Sequence, residues 1–261
     1  MPAIVFRIGL LILASLALWA CDKPATSPRI AAAADLRLAL TDVAAAFRRD
    51  TGQDVELVFG SSGNFHQQLR HGAPFELFLS ADEAYALDLA KAGMTVDTGR
   101  LYGVGRLALV APTGSSLKVE KGFDGLRQAL ASGQIRRFAI ANPDHAPYGQ
   151  RAREALEQAG LWQPLQDRLI MGENVAQALQ FAIEGGAEGG VVAWSLMLDP
   201  VLEGRADYAL IPAEAHQPLR QRMVLMRTAG DTARAFYDYL AQPPARAILQ
   251  RYGFALPQAQ H

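Results

Sequence analysis

From Arg29 onward the chain alternates short apolar runs of strand character with longer stretches whose apolar residues recur at helical spacing. That alternation constrains the fold more than any other feature, because strands separated by crossover helices assemble into layered α/β sheets. The strand candidates are Ile30 to Ala34, Val55 to Phe59, Leu77 to Ser80, Leu107 to Ala111, Phe138 to Ala141, Gly190 to Ala193, Tyr208 to Ile211 and Met223 to Met226. Helices are expected in the gaps. Leu36, Leu40, Val43, Ala44 and Phe47 form one apolar stripe, and Ala152, Ala155, Leu156 and Ala159 form another that stops at Gly160. The expected class is α/β in three layers, with mainly parallel sheets and no internal repeat.

Four strand-to-helix junctions share one chemistry. Phe59-Gly-Ser-Ser-Gly-Asn-Phe65 passes from a β-forming run into an amphipathic stretch through small residues, with Ser61 or Ser62 at the helix start. Ala31-Ala-Ala-Ala-Asp35, Asn142-Pro-Asp-His-Ala-Pro-Tyr-Gly149 and Gly172-Glu-Asn-Val175 each lead into a helix in the same way. The first N–H groups of a helix have no intrahelical acceptor and sit at the positive end of its dipole, so a compact anion can be held there without Lys or Arg. In open α/β sheets such junctions gather beyond the carboxyl ends of the strands. Two lobes facing across a cleft could therefore converge these helix starts on one small dianion, with Ser62 and Tyr148 adding hydroxyl donors. Taken alone, a serine at a helix start is explained by capping, and Tyr148 by packing over Pro147.

Composition narrows the partner. The 261 residues carry 25 basic and 26 acidic side chains, a balance that argues against nucleic acid held by counterion release. The single cysteine, Cys21, excludes an internal disulfide framework and a cysteine-rich metal site. The five histidines show no metal-binding spacing and read as surface or packing residues. Ahead of the fold, Arg7 precedes an apolar stretch, Ile8 to Ala20, too short to span a bilayer as a helix, which reads as a signal peptide over residues 1–20. Its end, Leu18-Trp-Ala-Cys21, resembles the lipobox of bacterial lipoproteins, implying lipidation of Cys21, although Trp19 stands where a small residue is usual. Residues 21–28 then read as a polar, Pro-containing tether.

Taken together, Ala31-Ala-Ala-Ala-Asp-Leu36, Phe59-Gly-Ser-Ser-Gly63, Gly72 to Asp82, Leu107 to Pro112, Ala141 to Gly149, Glu173-Asn-Val175, Phe236 to Leu240 and Arg251 to Phe254 resemble the periplasmic molybdate-binding proteins that serve ABC importers. The resemblance runs through nearly all of the mature sequence. It implies a two-lobed, type II periplasmic binding protein fold, with a ligand cleft between lobes joined by crossover strands. Lobe I would comprise 29–108 and 219–261, and lobe II 109–218. It further implies a monomer that captures molybdate or tungstate in the periplasm, delivers it to an ABC permease, and needs no cofactor. By the same resemblance Ser62 supplies hydroxyl and backbone donors, Val175 a backbone N–H, and Tyr148 a donor as in those members that place a tyrosine there; Ala193 stands where other members carry the ligand tyrosine.

Asp35 departs from the family pattern, which often has a neutral polar residue. An ionised carboxylate facing a dianion would be repelled by ~4 kcal/mol per charge contact at about 4 Å with an effective dielectric near 20. The favoured resolution is that the carboxylate caps its own helix, leaving the backbone N–H groups of Ala34 or Asp35 for the anion. The other is that it accepts a proton from a protonated oxyanion such as hydrogen phosphate or arsenate, a discrimination that a buried acceptor can impose. Sulfate is excluded only by cavity size, which the sequence does not give. Catalytic signatures are lacking: no nucleophile elbow, phosphate loop or dinucleotide fingerprint occurs, and Asp42, Asp82 and Glu83 read as capping or pairing residues. An esterase built on Ser62 is the distant alternative.

Overall fold

The computed structural model describes residues 27–256. The signal peptide, Cys21 and most of the tether lie outside the described residues. The strands are β1 (Arg29–Ala33), β2 (Glu56–Gly60), β3 (Leu77–Ser80), β4 (Arg100–Gly105), β5 (Leu107–Pro112), β6 (Phe138–Ala141), β7 (Leu169–Gly172), β8 (Gly189–Ala193), β9 (Ala206–Leu210) and β10 (Leu219–Leu225). The α-helices are α1 (Arg37–Thr51), α2 (Ser62–Arg70), α3 (Glu83–Lys91), α4 (Asp124–Ala131), α5 (Pro147–Gln158), α6 (Trp162–Leu165), α7 (Val175–Ile183), α8 (Trp194–Met197), α9 (Asp231–Tyr239) and α10 (Pro243–Arg251).

Two five-stranded sheets result, ordered β2-β1-β3-β10-β4 and β7-β6-β8-β5-β9. Each contains one strand that runs against both its neighbours: β10 is antiparallel to β3 and β4, and β5 to β8 and β9. These are the first strands laid down after each passage between sheets. The passages are short and bonded together. Ile211 N–H donates to Leu107 O at 3.0 Å, and the Arg106 guanidinium donates to Ile211 O at 3.1 Å. The sheets are thus mixed where the strand pattern suggested mainly parallel pairing.

Two strands lie outside the apolar runs read from the sequence, and a third starts earlier than its run. β4 reads Arg-Leu-Tyr-Gly-Val-Gly, and its two glycines and charged start hide it from an apolar-run criterion. β7, Leu-Ile-Met-Gly, is a half-exposed edge strand whose apolar run is only three residues long, too short to stand out by itself. β10 begins at Leu219, four residues before the apolar run that marks it, because its first half alternates exposed and buried positions.

The first sheet is covered on both faces, as its β1 residues require. Ile30 and Ala32 join the core beneath α1, α9 and α10, while Ala31 between them joins the core beneath α2 and α3. Phe47 anchors the first of these cores, edge-on to Phe236 at 5.1 Å and Tyr239 at 5.4 Å between ring centroids. The core of the second sheet continues across the junction into Ala33, Ala34 and Ala81 of the first. Register does the positioning. Ala33 pairs with Gly60 at the ends of β1 and β2, and Ala141 with Gly172 at the ends of β6 and β7, so neighbouring strands release their helix starts side by side.

Candidate oxyanion-binding site

The four junctions meet around a small, nearly closed cavity between the two sheets. Ala34 and Asp35, Ser61 and Ser62, Pro147 and Tyr148, and Asn174 and Val175 all line it, with Ala81 and Gly60 between them. No Lys, Arg or His is among these lining residues. The field in the cavity comes from helix starts, whose leading N–H groups lack intrahelical acceptors.

Two adjacent serines divide the work at α2. Ser61 is the N-cap: its Oγ accepts from Asn64 N–H at 3.2 Å. Ser62, the first helical residue, is almost fully buried, and its Oγ accepts from Ala81 N–H at 2.9 Å. That bond fixes the hydroxyl oxygen and leaves the hydroxyl proton for a ligand. The sequence left the cap open between the two serines. At α7 the cap is Asn174, which accepts from Ala176 and Gln177 N–H and leaves the preceding N–H, that of Val175, uncommitted by the cap. At α5 Pro147 takes the first position, where its missing N–H costs nothing.

Asp35 does not cap. No side-chain cap bond forms at the 3₁₀ turn of Ala34–Leu36 or at α1. Instead its Oδ2 accepts from the Tyr148 hydroxyl at 2.9 Å and from Gln221 Nε2 at 2.7 Å, while the Ser195 hydroxyl donates to its main-chain carbonyl at 2.8 Å. Local capping loses to these tertiary donors, which arrive from β10 and from helices of the second sheet. Oδ1 is buried without a hydrogen-bond partner. Burial pushes the carboxyl up from 3.8 to about 6, against the opposing pull of Gln221, Tyr148 and the backbone amides of Asp35 and Leu36. The expected role of the Tyr148 hydroxyl changes with it: its one proton is committed to Asp35.

Contacts across the cleft close the site on two sides. On one rim His145 Nδ1 meets Ser61 Oγ at 2.9 Å, and Gly63 N–H donates to His145 O at 2.9 Å. Gly63 must be glycine for that approach, since a Cβ there would lie 2.4 Å from the His145 carbonyl oxygen. On another, Arg151 of α5 pairs with Asp82 at 2.9 Å, and Asp82 also caps α3 through Ala84 N–H. Beneath Asp35, a Cβ on Gly105 would lie 2.2 Å from the Tyr148 hydroxyl and 2.7 Å from Gln221 Nε2, so the bare backbone of β4 makes room for both.

Ser62, Val175, Tyr148, Ala34 and Asp35, singled out from the sequence, are all brought together here. Gln221, His145 and Arg151 were not foreseen. His145, expected at the surface or in packing, spans the cleft instead. Gln221 had a readable signal: in β10 it shares the buried phase of Leu219 and Met223, so a polar side chain is directed inward. The register shift between Gln221 and Arg222 marks the same place. Of the carboxylates weighed for catalysis, Asp42 binds Arg251 and Tyr252, and Glu83 pairs with Arg220 and Arg222.

Residues 28–255 match the family model described as bacterial extracellular solute-binding protein. Molybdate-binding protein ModA of Azotobacter vinelandii is 36% identical over 244 residues, covering 92% of this chain and 94% of that protein. The chain belongs to the ModA family of bacterial extracellular solute-binding proteins. Another family member, molybdate-binding protein ModA of Escherichia coli strain K12, is 34% identical over 232 residues, with 86% of this chain and 87% of that one covered. The solved periplasmic molybdate-binding protein of Azotobacter vinelandii superposes with a TM-score of 0.80 at 29% identity, over 89% of this chain and all of that one. The sulfate-binding protein SubI of Mycobacterium tuberculosis shares the fold, with a TM-score of 0.71 at 17% identity over 88% and 86% of the two chains. The family's two-lobed fold is the one described above.

Proposed function

We propose that this chain is an extracytoplasmic solute-binding protein that captures molybdate or tungstate and delivers it to the permease of an ABC importer. One observation carries the reading: in a ModA-family chain, four helix starts converge on a small cavity that no cation lines. Such a cavity suits a tetrahedral anion that carries no proton to donate and is satisfied by donors alone. The donors assigned are the backbone N–H groups of Ala34 or Asp35, the N–H and hydroxyl of Ser62, and the N–H groups of Tyr148 and Val175.

In this reading the lobes part and close about the passages at Arg106 and 211–218, within a few residues of the divisions at 108/109 and 218/219. The anion bridges donors of both lobes, closure excludes water, and each charge-assisted hydrogen bond strengthens in the lower dielectric. The His145 contacts to Ser61 and Gly63 form only in the closed form, which is the form a permease recognises. The protein acts as a monomer in the periplasm, held to the membrane through a lipidated Cys21.

Thermal-shift titration with molybdate, tungstate, sulfate and phosphate tests the ligand, because a ligand of the folded state raises Tm by mass action. Molybdate and tungstate should each raise it, and sulfate little. A shift with phosphate alone would overturn the assignment and favour the reading in which an ionised Asp35 accepts the proton of hydrogen phosphate, for which the unpartnered Oδ1 is the candidate acceptor.

A further inference from the structure

We propose that Asp35 makes anion capture a proton-coupled step: as the dianion enters, Oδ1 takes one proton from solvent and donates it in a hydrogen bond to an anion oxygen. This rests on the oxyanion-binding reading above and deepens it. The two side-chain donors that reach the carboxyl group, Tyr148 and Gln221, are both spent on Oδ2. Oδ1 is buried, has no partner, and belongs to a residue that lines the cavity. It is the one seat left for a proton and for a further hydrogen bond.

The surroundings offer no other way to relieve the repulsion between an ionised carboxylate and a dianion. Tyr148 on α5 and Tyr102 on β4 are the titratable neighbours, and both stay neutral because burial, with the charge of Asp35 added, pushes their phenols well above the usual value. Gln221 on β10, Ser195 on α8, Ser62 on α2 and Asn174 on α7 are uncharged. Arg37, two residues along the chain, lies over the Phe59 ring. His145, at the rim, is turned toward Ser61 Oγ at 2.9 Å and the Glu173 carboxylate at 3.6 Å. Burial has already brought the Asp35 carboxyl to about 6, so a further rise on anion entry is enough to hold a proton on it near neutral pH. Protonation turns the awkward acid into a neutral donor and adds it to the backbone set.

Calorimetric titration of the purified protein with sodium molybdate, at pH 8 in two buffers of different ionisation enthalpy, counts the protons taken up. The expected result is close to one proton per anion, with affinity falling about tenfold from pH 7 to pH 8. Asp35→Asn, which keeps an acceptor for Tyr148 and Gln221 and presents a permanent donor, should take up none. It should bind more tightly than wild type at pH 8 and show a flat pH profile. Molybdate binding to the wild type without proton uptake would overturn the proposal, as would an Asp35→Asn variant with the wild-type slope, which would place the titration on another group. Failure of molybdate and tungstate to bind at any pH would instead overturn the ligand assignment.

Discussion

The Ser62 and Asp35 junctions sit at the ends of neighbouring strands and face one cavity, yet they solve the same problem in opposite ways. At Ser62 the solution is local. Ser61 takes the cap, Ala81 N–H orients the next hydroxyl, and a neutral donor is left over. At Asp35 the solution comes from across the molecule. A carboxylate is buried and held by a tyrosine from the facing lobe and a glutamine from the returning strand, with one oxygen left bare. A helix start that recognises an anion through local geometry is indifferent to pH, whereas one completed by a buried acid is tuned by it.

The largest effect that would break this contrast is on stability. The Asp35 pKa is raised in the folded protein, so its favourable contribution is full below about pH 3.8 and lost as pH rises through about 6. The difference amounts to about 3 kcal/mol. Asp35→Asn should therefore raise Tm at pH 7.5 by about 6–12 °C, with the gain shrinking toward pH 4; scanning calorimetry across that range reads it. Ser62→Ala comes next. It removes one charge-assisted donor, and titration calorimetry should find molybdate affinity lower by about 2 kcal/mol, roughly 30-fold, at every pH. Equal weakening at pH 6 and pH 8 would sharpen the comparison, since Asp35 variants should not behave that way.

Gly63→Ala should hold the His145 rim apart. Affinity should fall about tenfold, and small-angle scattering should show less compaction on adding molybdate, with the free protein unchanged in Tm. Smallest is Ser61→Ala, which loses the α2 cap and should lower stability by about 1 kcal/mol in denaturant titration, with only a minor change in affinity. If Ser61→Ala weakened binding as much as Ser62→Ala, the division of labour between the two serines would be wrong.

What could be read in the sequence follows the same division. The Ser62, Val175 and Ala34 positions are legible because small residues at strand ends, followed by a helical stripe, are a local pattern. Most strands are legible as apolar runs; β4 is not, since its glycines and charged start break the run, and β7 offers a run of only three apolar residues. The Asp35 carboxylate was misjudged because a local rule, an acid at a helix start caps it, gave way to donors 113 and 186 residues away. Nothing in the neighbourhood of Asp35 announces them. Gln221 was within reach through strand phase, and His145 was not, since its contact requires the lobes to be brought together.

The two passages between the lobes, bonded through Ile211, Leu107 and Arg106, form a narrow ribbon rather than two independent strings. Such a ribbon can flex across its flat face but resists sliding one edge past the other. On the proposed function, such a ribbon would leave the lobes a single angular freedom, and an anion too large or too small for the cavity would be registered as a residual gape at the far rim. Ionic radius, a difference of fractions of an ångström, would then become a displacement that a transporter could read at the lips of the cleft.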